Sequence, residues 1–243
     1  MSKSVVILSG GMDSTVVLYD VLNAKKMAGG GSQDVHALSF NYGQRHGKEL
    51  EAAKATCQAL DVFHQIVDIS QIGRQLLKGS SLTDDIEVPH GHYAEESMKL
   101  TVVPNRNMIM LSLALGYGVS IKADAVYYGA HAGDHAIYPD CRSEFVEAMQ
   151  KVAHLCDWHQ VKLYAPYIDL DKGDIAIKGL ELEVDFSKTW TCYEGGEKAC
   201  GKCGACGERI LAFDKANAVD PMEYAQSWEV VLADAKKMLE KEG

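Results

Sequence analysis

The chain has 243 residues, 47% of them hydrophobic, and its 24 basic and 34 acidic residues leave a net charge of −10. That length and apolar content support one sizeable core with a small appended module, and no tract has a disordered composition. No apolar run reaches the roughly 18 residues of a helical membrane span, and the acidic balance argues against a broad nucleic-acid-binding face.

Residues 5–8 (Val-Val-Ile-Leu) predict a short buried strand, and residues 15–22 predict the helix after it. Between them stands Ser9-Gly10-Gly11-Met12-Asp13-Ser14. Two glycines allow a sharp turn, and a helix N-terminus offers unpaired N–H groups and partial positive charge, which suit a phosphate. Asp13 or Ser14 is expected to cap the helix. The glycine-rich patterns G-x-x-x-x-G-K-[ST] and G-x-G-x-x-G are absent from the chain.

Further along, residues 35–40 predict a second strand, 48–60 a helix with Cys57 on its apolar face, and 65–69 a third strand. Residues 70–104 are polar and irregular and predict a flap over a site. Residues 105–122 predict a helix capped by Asn105 after Pro104. Residues 125–129 then read as a strand, 142–155 as a helix with Cys156 beside its end, and 163–168 as the last strand. This alternation points to an α/β protein with a parallel sheet flanked by helices. Residues 190–209 break the rhythm with a cysteine module, followed by two short helices ending at Lys241. The expected division is a nucleotide-binding domain over residues 1–186 and a metal-binding, helical module over 187–243.

Cys192, Cys200, Cys203 and Cys206 bring two C-x2-C steps together, the spacing that turns paired thiolates toward one metal. Four thiolates complete a tetrahedral zinc site with no open position; an iron–sulfur cluster or a redox dithiol are the other readings. Lys198, Lys202 and Arg209 are placed to offset the thiolate charge. Cys57 and Cys156 are expected to be inert core residues. Cys141 is as compatible with packing as with nucleophilic chemistry.

Tyr42 follows the second strand at its carboxyl end, where α/β sheets bind ligands, and is suited to stack on a base. Arg45 and His46 beside it could meet a phosphate or a leaving group. Arg106 at a helix start points to an anionic ligand, because the dipole alone disfavours a cation there. The loop carrying His131, Asp134, Tyr138, Asp140 and Arg142 suits Mg²⁺ or substrate. Lys188 could stabilise negative charge developing at phosphate.

The flanked S-G-G-x-D-S loop resembles the PP-loop of the ATP pyrophosphatases, which cleave ATP between the α and β phosphates. Together with Tyr42-Gly43-Gln44-Arg45-His46, Val103-Pro104-Asn105-Arg106-Asn107, Tyr138-Pro139-Asp140-Cys141-Arg142 and the cysteine run, the chain resembles the 7-cyano-7-deazaguanine synthase family. The resemblance implies an ATP-dependent ligase joining 7-carboxy-7-deazaguanine and ammonia. It also implies structural zinc at the four cysteines and a homodimer; Mg²⁺ is expected with the ATP, and composition and the acidic balance point to a cytoplasmic protein without direct nucleic-acid contact. The implied ATP contacts are Leu8, Ser9, Gly10, Gly11, Met12, Asp13, Ser14, Thr15, Val16, Val17 and Leu18, with Phe40 and Tyr42. Asp13, Ser14, Arg45, Arg106 and Lys188 are the expected catalytic groups. Asp134-His135-Ala136-Ile137 departs from the family's usual stretch at the substrate side. A PP-loop enzyme that thiolates or amidates tRNA, or a non-catalytic nucleotide-binding scaffold, are the rival functions.

Overall fold

The computed structural model describes residues 2–90 and 96–240. The elements run β1 (Lys3–Ile7), α1 (Met12–Met27), β2 (Val35–Asn41), α2 (Lys48–Leu60), β3 (Phe63–Asp68) and α3 (Ser70–Leu76). They continue as α4 (Arg106–Ser120), β4 (Ala123–Tyr127), α5 (Ser143–Leu155), β5 (Lys162–Tyr164), α6 (Lys172–Glu181), α7 (Gly204–Lys215) and α8 (Trp228–Glu240). The five strands form one sheet in the order β3-β2-β1-β4-β5, and every pairing is parallel. Parallel strands need helical crossovers, which cover both faces. Alternation along β1 divides the core accordingly. Val5 packs with Met110, Leu111 and Ala114 of α4, whereas Val6 packs with Val16 and Val17 of α1 and with Ile175 of α6.

The chain winds outward from β1 through β2 to β3, then returns to lay β4 and β5 on the other side. Connections leaving the carboxyl ends of β1 and β4 therefore diverge, and a crevice opens between them. Residues on both sides of position 186 share one core, since Phe186, Ala212 and Phe213 pack with Val16 and Ile175. No helix among the described residues is long and apolar enough to cross a membrane.

Several elements differ from the sequence expectations. The stretch expected to be irregular contains α3 and a 3-10 turn at Glu96–Thr101, with residues 91–95 outside the described part. Helix α6 was not expected, because Gly173 and Gly179 weaken its helical signal. Its start is nevertheless written in the sequence: Asp171 accepts from the Asp174 N–H at 3.0 Å, and Asp174 accepts from the Asp171 N–H at 3.2 Å. Strand β5 is shorter than expected, and α7 begins inside the cysteine run, placing Cys206 on a helix. The expected end at Lys241 lies outside the described residues.

The expected caps are also revised. Gly11 is the N-cap of α1, with no side-chain cap, because Asp13 and Ser14 already lie in the first turn. Asn105 precedes α4 with a left-handed backbone (φ 56°) and makes no side-chain cap bond. Cys57 is buried as expected, but Cys156 is exposed just beyond the end of α5.

Candidate active site

The loop after β1 is built from its own side chains. Ser14 Oγ accepts from the Ser9 N–H at 3.1 Å and lies 2.9 Å from Ser9 Oγ, which in turn accepts from the Gly11 N–H at 3.1 Å. Gly10 has φ +94°, and a Cβ there would overlap the carbonyl of Glu49 on α2. Gly129, after β4, packs so closely that a Cβ would sit 3.1 Å from the Ser14 nitrogen. The first intrahelical bond of α1 runs from the Thr15 N–H to the Gly11 carbonyl at 3.2 Å. The N–H groups of Met12, Asp13 and Ser14 precede it and face the crevice end of the helix, where an anion is favoured.

Asp13 heads a buried charged cluster beside this loop. Its Oδ2 is 3.4 Å from Lys172 Nζ and 3.8 Å from His131 Nε2, while Oδ1 is buried without a partner among the described residues. Lys172 also bonds Glu208 Oε2 at 2.6 Å. Burial would lower the Lys172 pKa, but the carboxylates of Asp13, Glu208 and Asp134 outweigh it and hold the ammonium charged. Burial pushes the Glu208 carboxyl up, with Lys172 pulling against it. His131 accepts from the Gly133 N–H at Nδ1 (3.1 Å), so its Nε2 carries the proton and faces Asp13 and Asp134.

The same cavity continues to the α4 side of the sheet, where Tyr42, Arg106, Asn107, Tyr128, Tyr138 and Cys141 line it. Arg106 lies over the Tyr42 ring, 5.9 Å from its centroid. Tyr138 Oη and Thr101 Oγ1 are hydrogen-bonded at 2.5 Å. Asn107 Nδ2 donates to Cys141 Sγ at 3.2 Å, and burial holds that thiol well above its ordinary pKa, which suits packing rather than nucleophilic attack. Burial pushes the Glu49 carboxyl up to about 7, against the opposing pull of Arg106.

The four sulfurs of Cys192, Cys200, Cys203 and Cys206 lie within 4.8 Å of one another. The Cys200–Cys206 separation is 3.9 Å. A tetrahedral ion with metal–sulfur bonds of about 2.3 Å requires sulfurs about 3.8 Å apart, so the donor set fits one ion. The backbone N–H of Cys200 donates to Cys192 Sγ, and those of Lys202 and Cys203 donate to Cys200 Sγ, each at 3.3 Å. Just before Cys192, the Trp190 N–H donates to the Gly10 carbonyl at 2.9 Å. The cysteine module therefore touches the loop after β1 directly. Arg209 is fully buried there; it binds Asp220 at 2.7 and 2.8 Å and donates to Thr189 and Thr191 on either side of Trp190.

A family model described as "Queuosine biosynthesis protein QueC" matches residues 3–217. The chain belongs to the QueC family. It is 57% identical over 223 residues to the 7-cyano-7-deazaguanine synthase of Hahella chejuensis, covering 92% of this chain and 93% of that one. It is 59% identical over 222 residues to that of Pseudoalteromonas translucida, covering 91% and 98%. The fold is shared with the U34-tRNA thiolase NcsA from Methanococcus maripaludis, solved with its [4Fe-4S] cluster (TM-score 0.50, 17% identity, 98% of this chain and 72% of that chain). QueC membership makes the chain an enzyme of the carbon–nitrogen ligase type that its relatives' name denotes.

In this QueC chain the cavity is lined by Leu8, Ser9, Gly11, Asp13, Ser14, Phe40, Tyr42, Arg45, Arg106, Asp134 and Tyr138. Other expected residues lie elsewhere. Val16, Val17 and Leu18 are fully buried in the core behind the loop, because only the first turn of α1 reaches the crevice, and Met12 buries its side chain there too, leaving only its backbone N–H toward the crevice. Thr15 spends its hydroxyl on the Gly11 carbonyl at 2.8 Å, and Gly10 backs the loop against α2. Lys188 is exposed and pairs with Asp185 at 3.0 Å, so it does not reach the cavity. The guanidinium of Arg45 pins the overlying segment through the carbonyls of Ile86 (2.7 Å) and Ser81 (3.3 Å).

His131 stands one layer behind the lining. Asp140 accepts from the Asn107 N–H at 3.2 Å, and Arg142 donates to the His135 carbonyl at 2.8 Å, so both brace the loop. Arg209 is held mainly by Asp220, with Cys206 of the cluster adding to the negative charge it faces, and Lys198 pairs with Glu223 at 3.5 Å. The sequence reading overlooked Lys172, Glu208 and Glu49. Lys172 follows the Asp171 cap by one residue, and that capping box is the signal that could have placed it on a helix start facing the crevice.

Proposed function

We propose that this chain forms 7-cyano-7-deazaguanine from 7-carboxy-7-deazaguanine, ammonia and ATP, with two adenylations at one loop. The observation that carries the reading is a single cavity joining the phosphate-suited loop at α1 to an aromatic, cationic chamber on the α4 side. A carboxylate lacks a leaving group. Its oxygen attacks the α phosphorus of ATP, pyrophosphate departs, and ammonia displaces AMP to give the amide. The amide oxygen then attacks the α phosphorus of a second ATP, pyrophosphate departs again, and loss of AMP and of the nitrogen's protons leaves the nitrile.

Ser9, Gly11 and Ser14, with the first N–H groups of α1, hold the pyrophosphate portion. Lys172, kept charged and fixed by two carboxylates, offers a preorganised cation to the charge developing there. Arg106 faces the acid from the aromatic chamber. The buried, unpartnered Asp13 Oδ1 and the nearby Asp134 would hold Mg²⁺, which neutralises pyrophosphate when bound. Zinc is the proposed occupant of the four cysteines, since the compact sulfur set suits one ion better than a larger multi-iron cluster. A cytoplasmic homodimer is part of the same reading, and sedimentation at several concentrations tests the assembly.

The deciding experiment supplies the purified protein with the deazaguanine acid, ammonium and ATP. Two AMP and two pyrophosphate per nitrile are expected, and the amide supplied alone should consume one ATP. Formation of ADP and phosphate, or no nitrile, refutes the reading.

A further inference from the structure

Tyr128 immediately follows β4, and alternation turns its side chain to the α4 face of the sheet. It packs there with Phe40, Tyr42, Tyr138 and Cys141, on the opposite side from the core behind α1. The residue is 5% exposed and lines the cavity, yet its hydroxyl is buried with no partner among the described residues. The neighbouring polar groups are differently placed. Tyr138 bonds Thr101, Tyr42 has the Arg106 guanidinium over its ring, and the Cys141 sulfur accepts from Asn107. A buried hydroxyl left unpaired is a standing cost in the ligand-free protein, and a ligand that satisfies it recovers that cost.

We propose that the Tyr128 hydroxyl is a specificity contact for the acid substrate, hydrogen-bonding a polar edge of a planar heterocycle seated on the α4 side of the sheet. This rests on the deazaguanine reading given above. The ATP phosphates belong at the N-terminus of α1, whose helix lies under the other face; the ATP base is the other planar ring that Phe40 and Tyr42 suit, and the two KM values in the test separate it from the acid. A pocket built to hydrogen-bond its ligand rejects analogues lacking the matching group far better than an apolar pocket distinguishes sizes. Tyr128 is thus placed to discriminate among heterocyclic acids.

The test compares wild type with Tyr128→Phe, in steady-state nitrile formation and in thermal unfolding without ligand. Removing an unpaired hydroxyl should leave the ligand-free melting temperature unchanged or raised. The KM for the deazaguanine acid should rise about tenfold, the cost of one lost hydrogen bond, with the KM for ATP within about twofold. An unchanged KM for the acid overturns the proposal, as does a rise in the KM for ATP alongside or instead. A ligand-free melting temperature lowered by several degrees also overturns it, because the hydroxyl then has a protein partner. Failure of the wild type itself to form the nitrile would instead bring down the functional reading.

Discussion

Lys172→Met keeps the aliphatic stem and removes only the ammonium, which separates two roles of one buried charge. Lys172 is 6% exposed and lies 2.6 Å from Glu208 and 3.4 Å from Asp13. Stranding the Glu208 carboxylate costs about 3–5 kcal/mol for a buried pair. The lower end applies, because burial already pushes the Glu208 pKa up and it can neutralise by taking a proton. Loss of a preorganised cation at the reacting phosphate should lower kcat by about 10²–10³. Pyrophosphate release under saturating ATP measures the second effect, and thermal unfolding the first. Adding Glu208→Gln removes the stranded charge, so the double variant should regain most of the stability while turnover stays low. Recovery of turnover together with stability would refute the electrostatic role and leave Lys172 as packing.

Gly10→Ala forces a side chain into a backbone at φ +94° and against the Glu49 carbonyl; a loss above about 1 kcal/mol and weaker ATP binding are expected from melts and nucleotide titration. Cys203→Ser should abolish metal retention, while the wild type should be colourless with about one zinc per chain by elemental analysis, as four thiolates for one ion require. A brown, iron-containing protein would contradict that.

His64 supplies the pH prediction. Ser39 Oγ gives its proton to the Leu8 carbonyl at 2.6 Å, so His64 Nε2 must donate to Ser39 at 2.8 Å. Burial, aided by Lys54, lowers the His64 pKa below the ordinary 6.5. The neutral ring is favoured in the folded state, so its contribution is present above pH 6.5 and lost as pH falls through the folded pKa. His64→Gln should therefore flatten the acid side of the stability profile, by up to about 1.4 kcal/mol per pH unit. Parallel profiles for the two proteins would refute this.

Local pattern carried the strands of a parallel sheet and the phosphate loop into view. Residues 5–8 are an uninterrupted apolar run and 35–40 a mostly apolar one, each with turn signals after it, and the spacing predicts α2 with its observed bounds, Lys48–Leu60. What stayed hidden depends on contacts far apart in the chain. Lys172 reads as a surface lysine until the fold brings Asp13 and Glu208 to it. Lys188, close in sequence to the cysteines, looked better placed but finds Asp185 within its own turn. The stretch from Met12 to Leu18 illustrates the opposite error: one segment holds both a ligand edge and a core face, and only helix geometry separates them.

The hydrogen bond from the Trp190 N–H to the Gly10 carbonyl joins positions about three quarters of the chain apart. During synthesis the first strand, the glycine turn and α1 emerge early, and most of the sheet can pair before residue 190 exists. The glycine turn acquires its last restraint only when the C-terminal segment has been made and has docked. A truncated or unfinished chain would thus own a sheet but an unfinished phosphate loop, which delays nucleotide capture until the molecule is whole.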